Sequence, residues 1–253
     1  MRRPLVAGNW KMYGTRHSID ELLSGLNAQQ WPEQVDLLIA PPALYIQQCR
    51  EALGRSPVRL AGQSCAWQAE PGALTGEVSP AQLRDAGCEY VLVGHSERRS
   101  LFGETDEVVC RKFAAALACG LRPILCVGET QQQRDANETA EVVGRQLQVI
   151  LERFGVAGLA QGVVAYEPVW AIGTGLTASP EQAQEVHAMI RARLALLDDE
   201  QAQRVQIVYG GSVKAENASA LFSMPDIDGG LVGGASLNAD EFGAIARAAG
   251  QVQ

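Results

Sequence analysis

An apolar run near the middle of the sequence closes on a carboxylate. In Ala165-Tyr-Glu-Pro-Val-Trp-Ala-Ile-Gly-Thr-Gly175, Glu167 ends the run, Pro168 pins it, and a tryptophan and a glycine-rich segment follow. A carboxylate held this way can serve as a general base. Other apolar runs also end on polar groups: Asn9 and Lys11 after the first, Gln63 and His95 after later ones, then Gly210-Gly211-Ser212 and Gly233-Gly234. A histidine and a carboxylate can exchange protons, a lysine supplies positive charge, and glycine-rich backbone can nest an anion. Singly, each has a plainer role. Asn9 and Lys11 could be a turn residue and a solvated charge, His95 a hydrogen-bonded core histidine, and Glu167 a cap or ion-pair partner. The Gly-Gly pairs could be turns that need positive φ. Only convergence on one face turns these residues into a site.

Other chemistries lack their parts. His17, His95 and His187 lie far apart and form no ligand cluster, so no metal is expected. Of the three lysines, Lys11, Lys112 and Lys214, only Lys11 is placed for Schiff-base chemistry. Gly173-Thr-Gly-Leu-Thr-Ala178 fits a dinucleotide fingerprint, but Glu167 to Ile172 separate it from the strand, and Asp198-Asp199 end a helix rather than a strand. Proton transfer by Glu167 is the simpler reading, with no cofactor.

These residues need elements to position them. Eight short runs, beginning at Leu5, Val35, Val58, Tyr90, Pro123, Val163, Val205 and Gly229, are continuously apolar, as parallel strands covered on both faces should be. Helical spacing lies between them, as in Val143, Leu147, Ile150, Leu151 and Phe154, or Ala183, Val186, Ile190, Leu194 and Leu197. Ser179, Pro180 and Gln182 mark the start of that second helix with a capping box. Eight strand–helix units without a linker predict a single-domain (β/α)8 barrel over residues 1–253, with an open doubly wound sheet as the alternative. In such a barrel all the polar strand ends would face one mouth.

Composition sets the setting. The net charge of −8 over 253 residues opposes nucleic-acid binding. Cys49, Cys65, Cys88, Cys110, Cys119 and Cys126 form no C-x-x-C pair, which predicts reduced core thiols and a cytoplasmic location. The apolar stretch behind Met-Arg-Arg is broken by Gly8, Asn9 and Lys11, too early for a signal peptide, and no segment is long enough to span a membrane.

Five segments together carry a resemblance: Asn9-Trp-Lys-Met12, Gly94-His-Ser-Glu-Arg-Arg99, Ala165 to Gly175, Tyr209-Gly-Gly-Ser-Val213 and Gly229-Gly-Leu-Val-Gly-Gly-Ala-Ser236. In kind and order they resemble the triosephosphate isomerase family. The resemblance implies a cofactor-free interconversion of dihydroxyacetone phosphate and D-glyceraldehyde 3-phosphate, a step of glycolysis and gluconeogenesis. It makes Glu167 the base, His95 the neutral electrophile, and Lys11 and Asn9 the stabilisers of charge on substrate oxygen. Gly173, Ser212, Gly233 and Gly234 would hold the phosphate. Pro168 to Trp170 would hinge a lid with its tip at Ala171 to Gly175 and a second hinge at Leu176 to Ala178, and Tyr209 would help hold it closed. The loop from Ser64 to Ser79 would dock into a second subunit, with Thr75 reaching the partner's site. Ala66-Trp67 and Ala73-Leu74 are the apolar content that loop would expose in a monomer. The family usually has asparagine where this chain has Ser64, and often where it has Tyr13. The rival readings are a nucleotide-binding oxidoreductase and a barrel that binds phosphate without turnover.

Overall fold

A computed structural model of the chain describes residues 2–172 and 177–251. Among them, eight parallel strands close into a barrel in chain order: β1 (Leu5–Asn9), β2 (Asp36–Ala40), β3 (Arg59–Gly62), β4 (Cys88–Val93), β5 (Arg122–Val127), β6 (Val163–Tyr166), β7 (Gln206–Tyr209) and β8 (Gly229–Val232). The ring is completed where β1 pairs with β8, Leu5 opposite Gly229 through Gly8 opposite Val232. That pairing excludes the open sheet.

Successive strand residues point to opposite faces, so each strand feeds two cores. Leu5, Ala7, Leu38, Ala40, Ala61, Tyr90, Leu92, Ile124, Val163, Ala165, Val208 and Leu231 fill the barrel interior. Their neighbours Val6, Leu37, Ile39, Val91, Val164 and Ile207 face outward into the layer shared with the helices. The parity continues past the strands. Counting by twos from Leu5 and Ala7 reaches Asn9, from Val163 and Ala165 reaches Glu167, from Val208 reaches Gly210 and from Leu231 reaches Gly233.

The two apolar stripes predicted as helices are found in Thr139–Leu159 and Pro180–Ala195, the second opened by the expected Ser179 capping box with Gln182. One expected stripe residue departs. Leu197 lies beyond the helix end at Ala195 and is 63% exposed, because Leu196 and Leu197 form the turn into the next short helix, Asp199–Ala202. The cysteines carry free thiols, all buried except the half-buried Cys119, and burial pushes Cys49, Cys65 and Cys88 up to about 12.

The end of the barrel away from the polar strand ends is closed by paired charges. Asp228 accepts from Arg2 Nε at 2.7 Å, Arg191 Nη2 at 2.9 Å and the Ile207 N–H at 2.8 Å. Arg191 also reaches Asp226 at 2.6 Å and the Ala202 and Val205 carbonyls. Buried charges that are fully hydrogen-bonded stand; removing one partner leaves the others stranded.

His187, fully buried on the helix Pro180–Ala195, lies edge-on to Tyr166 and has Nδ1 3.1 Å from the Asp226 carbonyl. Burial drives its pKa down from 6.5 to about 4, against the opposing pull of that carbonyl. Between those values the unfolded chain binds a proton that the folded chain refuses, so stability is complete above the upper value and declines as pH falls toward the lower. The decline attributable to His187 is about 3 kcal/mol. In urea unfolding at stepped pH, His187→Gln should flatten this fall. An unaltered slope would assign the acid sensitivity to other groups.

Candidate active site

Asn9, Lys11, His95, Glu167, Gly210, Gly211, Ser212, Gly233 and Gly234 line one cavity of about 550 Å³ at the C-terminal end of the strands. Gly173 lies outside the described residues, as do Gly175 and most of the glycine-rich match around them. Gln63 is absent from the cavity wall. It braces the wall from behind, donating from Nε2 to the carbonyls of Lys11 at 2.7 Å and Ala40 at 2.9 Å.

Glu167 is the inward residue after β6, and it is 2% exposed. Its N–H donates to the Val127 carbonyl at 2.7 Å, and its carboxylate is held at both oxygens. Oε1 lies 3.0 Å from His95 Nε2, and Oε2 accepts the Ser96 N–H at 2.9 Å. Burial alone would raise the carboxyl pKa; His95, the Ser96 N–H and Lys11 outweigh it and hold the pKa below the ordinary carboxylate value. The Cys126 thiol also lies against this carboxylate, and burial, then Glu167, push its pKa well up.

The helix Ser96–Phe102 organises the pair. His95 is its N-cap, and Nδ1 accepts the Glu97 N–H at 3.3 Å. An acceptor Nδ1 carries no proton, so the ring in this geometry is neutral and presents Nε2–H to Glu167. Two influences compete here. Burial lowers the His95 pKa, but the facing Glu167 carboxylate, its hydrogen bond and Glu97 prevail, and the net shift is upward. The helix start thus favours neutral imidazole while the facing carboxylate favours protonation.

Lys11 is set by local backbone chemistry. It takes φ of 50°, a left-handed value uncommon for a side-chain-bearing residue, and Asn9 Oδ1 accepts its N–H at 3.0 Å. Together with Gln63 on its carbonyl, this turns the ammonium toward the cavity, where it pairs with Glu97 Oε1 at 2.5 Å. Glu97 is thus a site residue that sequence reasoning missed, although it stands within the quoted Gly94 to Arg99 segment.

Close approach rather than backbone sign explains Gly210 and Gly211 in the far wall. Neither Gly-Gly pair takes positive φ, which corrects one reading of them as turns. A Cβ at Gly211 would meet Tyr209 Oη at 2.1 Å, and one at Gly210 would meet Glu167 Cγ at 2.8 Å. Gly234 has open space there and starts the short 3-10 helix Gly234–Leu237 beside the cavity. Ser212 donates its hydroxyl to the Ala171 carbonyl at 3.0 Å, joining this wall to the segment after Glu167.

That segment is itself tied to Glu129, whose Oε1 accepts from Tyr166 Oη at 3.1 Å, Trp170 Nε1 at 3.0 Å and Arg134 at 3.3 Å. Arg134 also covers the Trp170 ring, 4.7 Å from its centroid. Val169–Ala171 forms one 3-10 turn. Burial raises Tyr209 to about 12, with the Ala178 backbone pulling the other way.

The loop from Ser64 to Ser79 departs from its expected exposure. Ala66 is buried and its N–H pairs with the Val78 carbonyl, while Trp67 is half-buried beneath Arg111. Closing the loop at its base covers these two, wholly or in part, within the chain; Leu74 is half-buried, and Ala73 and Thr75 remain exposed. Ser64 accepts from the buried Lys112 ammonium at 3.0 Å. Among the described residues no group of His, Cys, Asp and Glu could hold a metal ion, and no helix is long and apolar enough to cross a membrane.

Comparison with known proteins agrees with this architecture. The family profile for triosephosphate isomerase matches residues 4–249. Curated relatives named triosephosphate isomerase include one from Pseudomonas putida, 63% identical over 250 residues, covering 99% of this chain and 100% of the relative. Those from Pseudomonas fluorescens and Ectopseudomonas mendocina are each 62% identical over 250 residues with the same coverage. With a profile match and relatives that span nearly the whole barrel, this chain belongs to the triosephosphate isomerase family.

Proposed function

We propose that this protein interconverts dihydroxyacetone phosphate and D-glyceraldehyde 3-phosphate, and that residues 1–253 act as one catalytic domain in the cytoplasm. The observation that carries the reading is the 3.0 Å contact between His95 Nε2 and Glu167 within a cavity that Lys11 and two glycine-rich segments also border.

Glu167 takes the proton from one substrate carbon and returns it to the next. His95 donates Nε2–H to the carbonyl oxygen, where charge develops as the enediolate forms. Lys11 and Asn9 stabilise the same negative charge. Nε2–H is given to Glu167 across 3.0 Å, so a substrate oxygen that claims it also releases the carboxylate. Since His95 and the Ser96 N–H, with Lys11, hold the Glu167 pKa down, exchanging the first two for substrate in a dry cavity makes the carboxylate more basic at the moment it must act. Ser212, Gly233, Gly234 and, by resemblance, Gly173 hold the phosphate, and binding there drives closure of the segment after Glu167. No metal or organic cofactor takes part.

The protein works as a homodimer. Met12, Tyr13, Leu44, Leu101 and Phe102 are large apolar residues left 60% or more exposed, on and beside the segments that carry Lys11 and His95. Exposed apolar side chains of this size are suited to burial against a second copy of the chain.

The first test is isomerisation of glyceraldehyde 3-phosphate by the purified protein in chelator, without nucleotide. Turnover is expected, and Glu167→Asp, which withdraws the carboxylate, should lower kcat about 100-fold or more. An inactive native protein that still binds phosphate would leave a silent barrel, and one requiring a nicotinamide cofactor would be an oxidoreductase. Sedimentation tests the assembly: the native protein should run at twice the chain mass and Phe102→Glu should shift it toward one chain, whereas a native monomer would end the dimer reading.

A further inference from the structure

Gln146 stands on the helix Thr139–Leu159 among Val143, Leu147 and Ile150, and it is 5% exposed. A buried amide is costly unless both its donor and its acceptor are used. Here both are spent on one residue: Oε1 accepts the Gly128 N–H at 2.7 Å, and Nε2 donates to the Gly128 carbonyl at 3.1 Å. The side chain pairs with the N–H and carbonyl of that residue as a neighbouring strand would.

Gly128 follows β5 and lies between this clamp and Glu167. The flanking carbonyls make the opposite contacts: Val127 accepts the Glu167 N–H at 2.7 Å, and Glu129 accepts the Val169 N–H at 3.1 Å. The approach is so close that a Cβ on Gly128 would lie 1.7 Å from the Glu167 carbonyl oxygen. A second cavity, of about 220 Å³, is bordered by Ser96, Cys126, Gly128, Gln146 and Glu167. Open space also lies beside Gly128, so packing on that side does not fix its backbone, and the amide holds the N–H and carbonyl that the flanking contacts leave free. Gln146 does not border the cavity that holds His95 and Lys11.

We propose that Gln146 is a positioning residue for the reaction, setting the Glu167 carboxylate by clamping the Gly128 backbone against which the Glu167 backbone rests. The proposal rests on the isomerase reading. It separates two parts of substrate handling: Gln146 acts on the carboxylate, whereas the phosphate is held across the barrel at Ser212, Gly233 and Gly234.

Gln146→Met keeps the side-chain length and removes both hydrogen bonds. It should lower kcat about 10- to 100-fold, as expected when a catalytic group is displaced by a fraction of an ångström. KM and inhibition by inorganic phosphate should stay within about twofold. Gln148→Met, on the same helix, should leave kcat unchanged. Should Gln146→Met fail to fold, Gln146→Glu is measured instead. It keeps an acceptor for the Gly128 N–H but sets a charge against the Gly128 carbonyl, and a protonated glutamic acid restores the donor. Its kcat relative to the native enzyme should therefore recover as pH is lowered. A folded variant with native kcat, one whose kcat and phosphate binding fall together, or a Gln146→Glu deficit that does not change with pH would each overturn the proposal. A native enzyme without turnover would instead overturn the isomerase reading, and this proposal with it.

Discussion

A carboxylate that is out of water and still charged is the constraint around which this barrel is organised. Burial works against the ionised form of Glu167, and what preserves the charge is a small circuit of hydrogen bonds. The Ser96 N–H reaches one carboxylate oxygen because a helix begins there. The helix begins there because His95 caps it, accepting the Glu97 N–H. That acceptance leaves Nε2–H for the other carboxylate oxygen. Glu97 in turn holds the Lys11 ammonium. Loss of one member strands the partners it holds, and His95 and Glu167, each shifted by the other, titrate as a pair rather than singly.

The two ends of the barrel handle charge differently. Around Asp228 and Arg191 the donors and acceptors are matched by protein groups, which suits an end whose work is to stay closed. At the opposite end the paired groups border a cavity: an Nε2–H shared with a carboxylate and a lysine held by Glu97. The Glu129 carboxylate links the two tasks. It gathers Tyr166, Trp170 and Arg134 immediately behind the cavity, so the support of β6 and the anchorage of the segment after Glu167 pass through one group.

Much of this was legible in the sequence because it is local and periodic. Continuous apolar runs marked the strands, and a polar residue two positions beyond an inward one marked Asn9 and Glu167. The same count applied to Ala61 points Gln63 inward, a signal present in the sequence. Contacts between distant segments carried no such mark. Glu97 meets Lys11 from 86 positions away, and Gln146 reads as one more polar residue on a helix until its 18-residue loop back to Gly128 is known. Exposure in the loop from Ser64 to Ser79 was misjudged because apolar type does not say which loop residues are covered by the chain's own base. The glycine pairs had the right location and an incomplete reason: proximity of Tyr209 and Glu167, not backbone sign, excludes a side chain at Gly210 and Gly211.

The alternation along β6 also limits how this sequence can change length. Val163 and Ala165 point into the barrel, Val164 and Tyr166 into the helical layer, and Glu167 inherits its direction from that count. An insertion of one residue in Val163–Tyr166 would turn the carboxylate out among apolar helix contacts and bring a neighbour into the cavity. An insertion of two would preserve its direction but carry it about 6.6 Å along the strand, beyond reach of His95. Substitution can therefore explore this strand residue by residue, whereas insertion and deletion are closed to it, and variation in chain length is confined to the loops at either end.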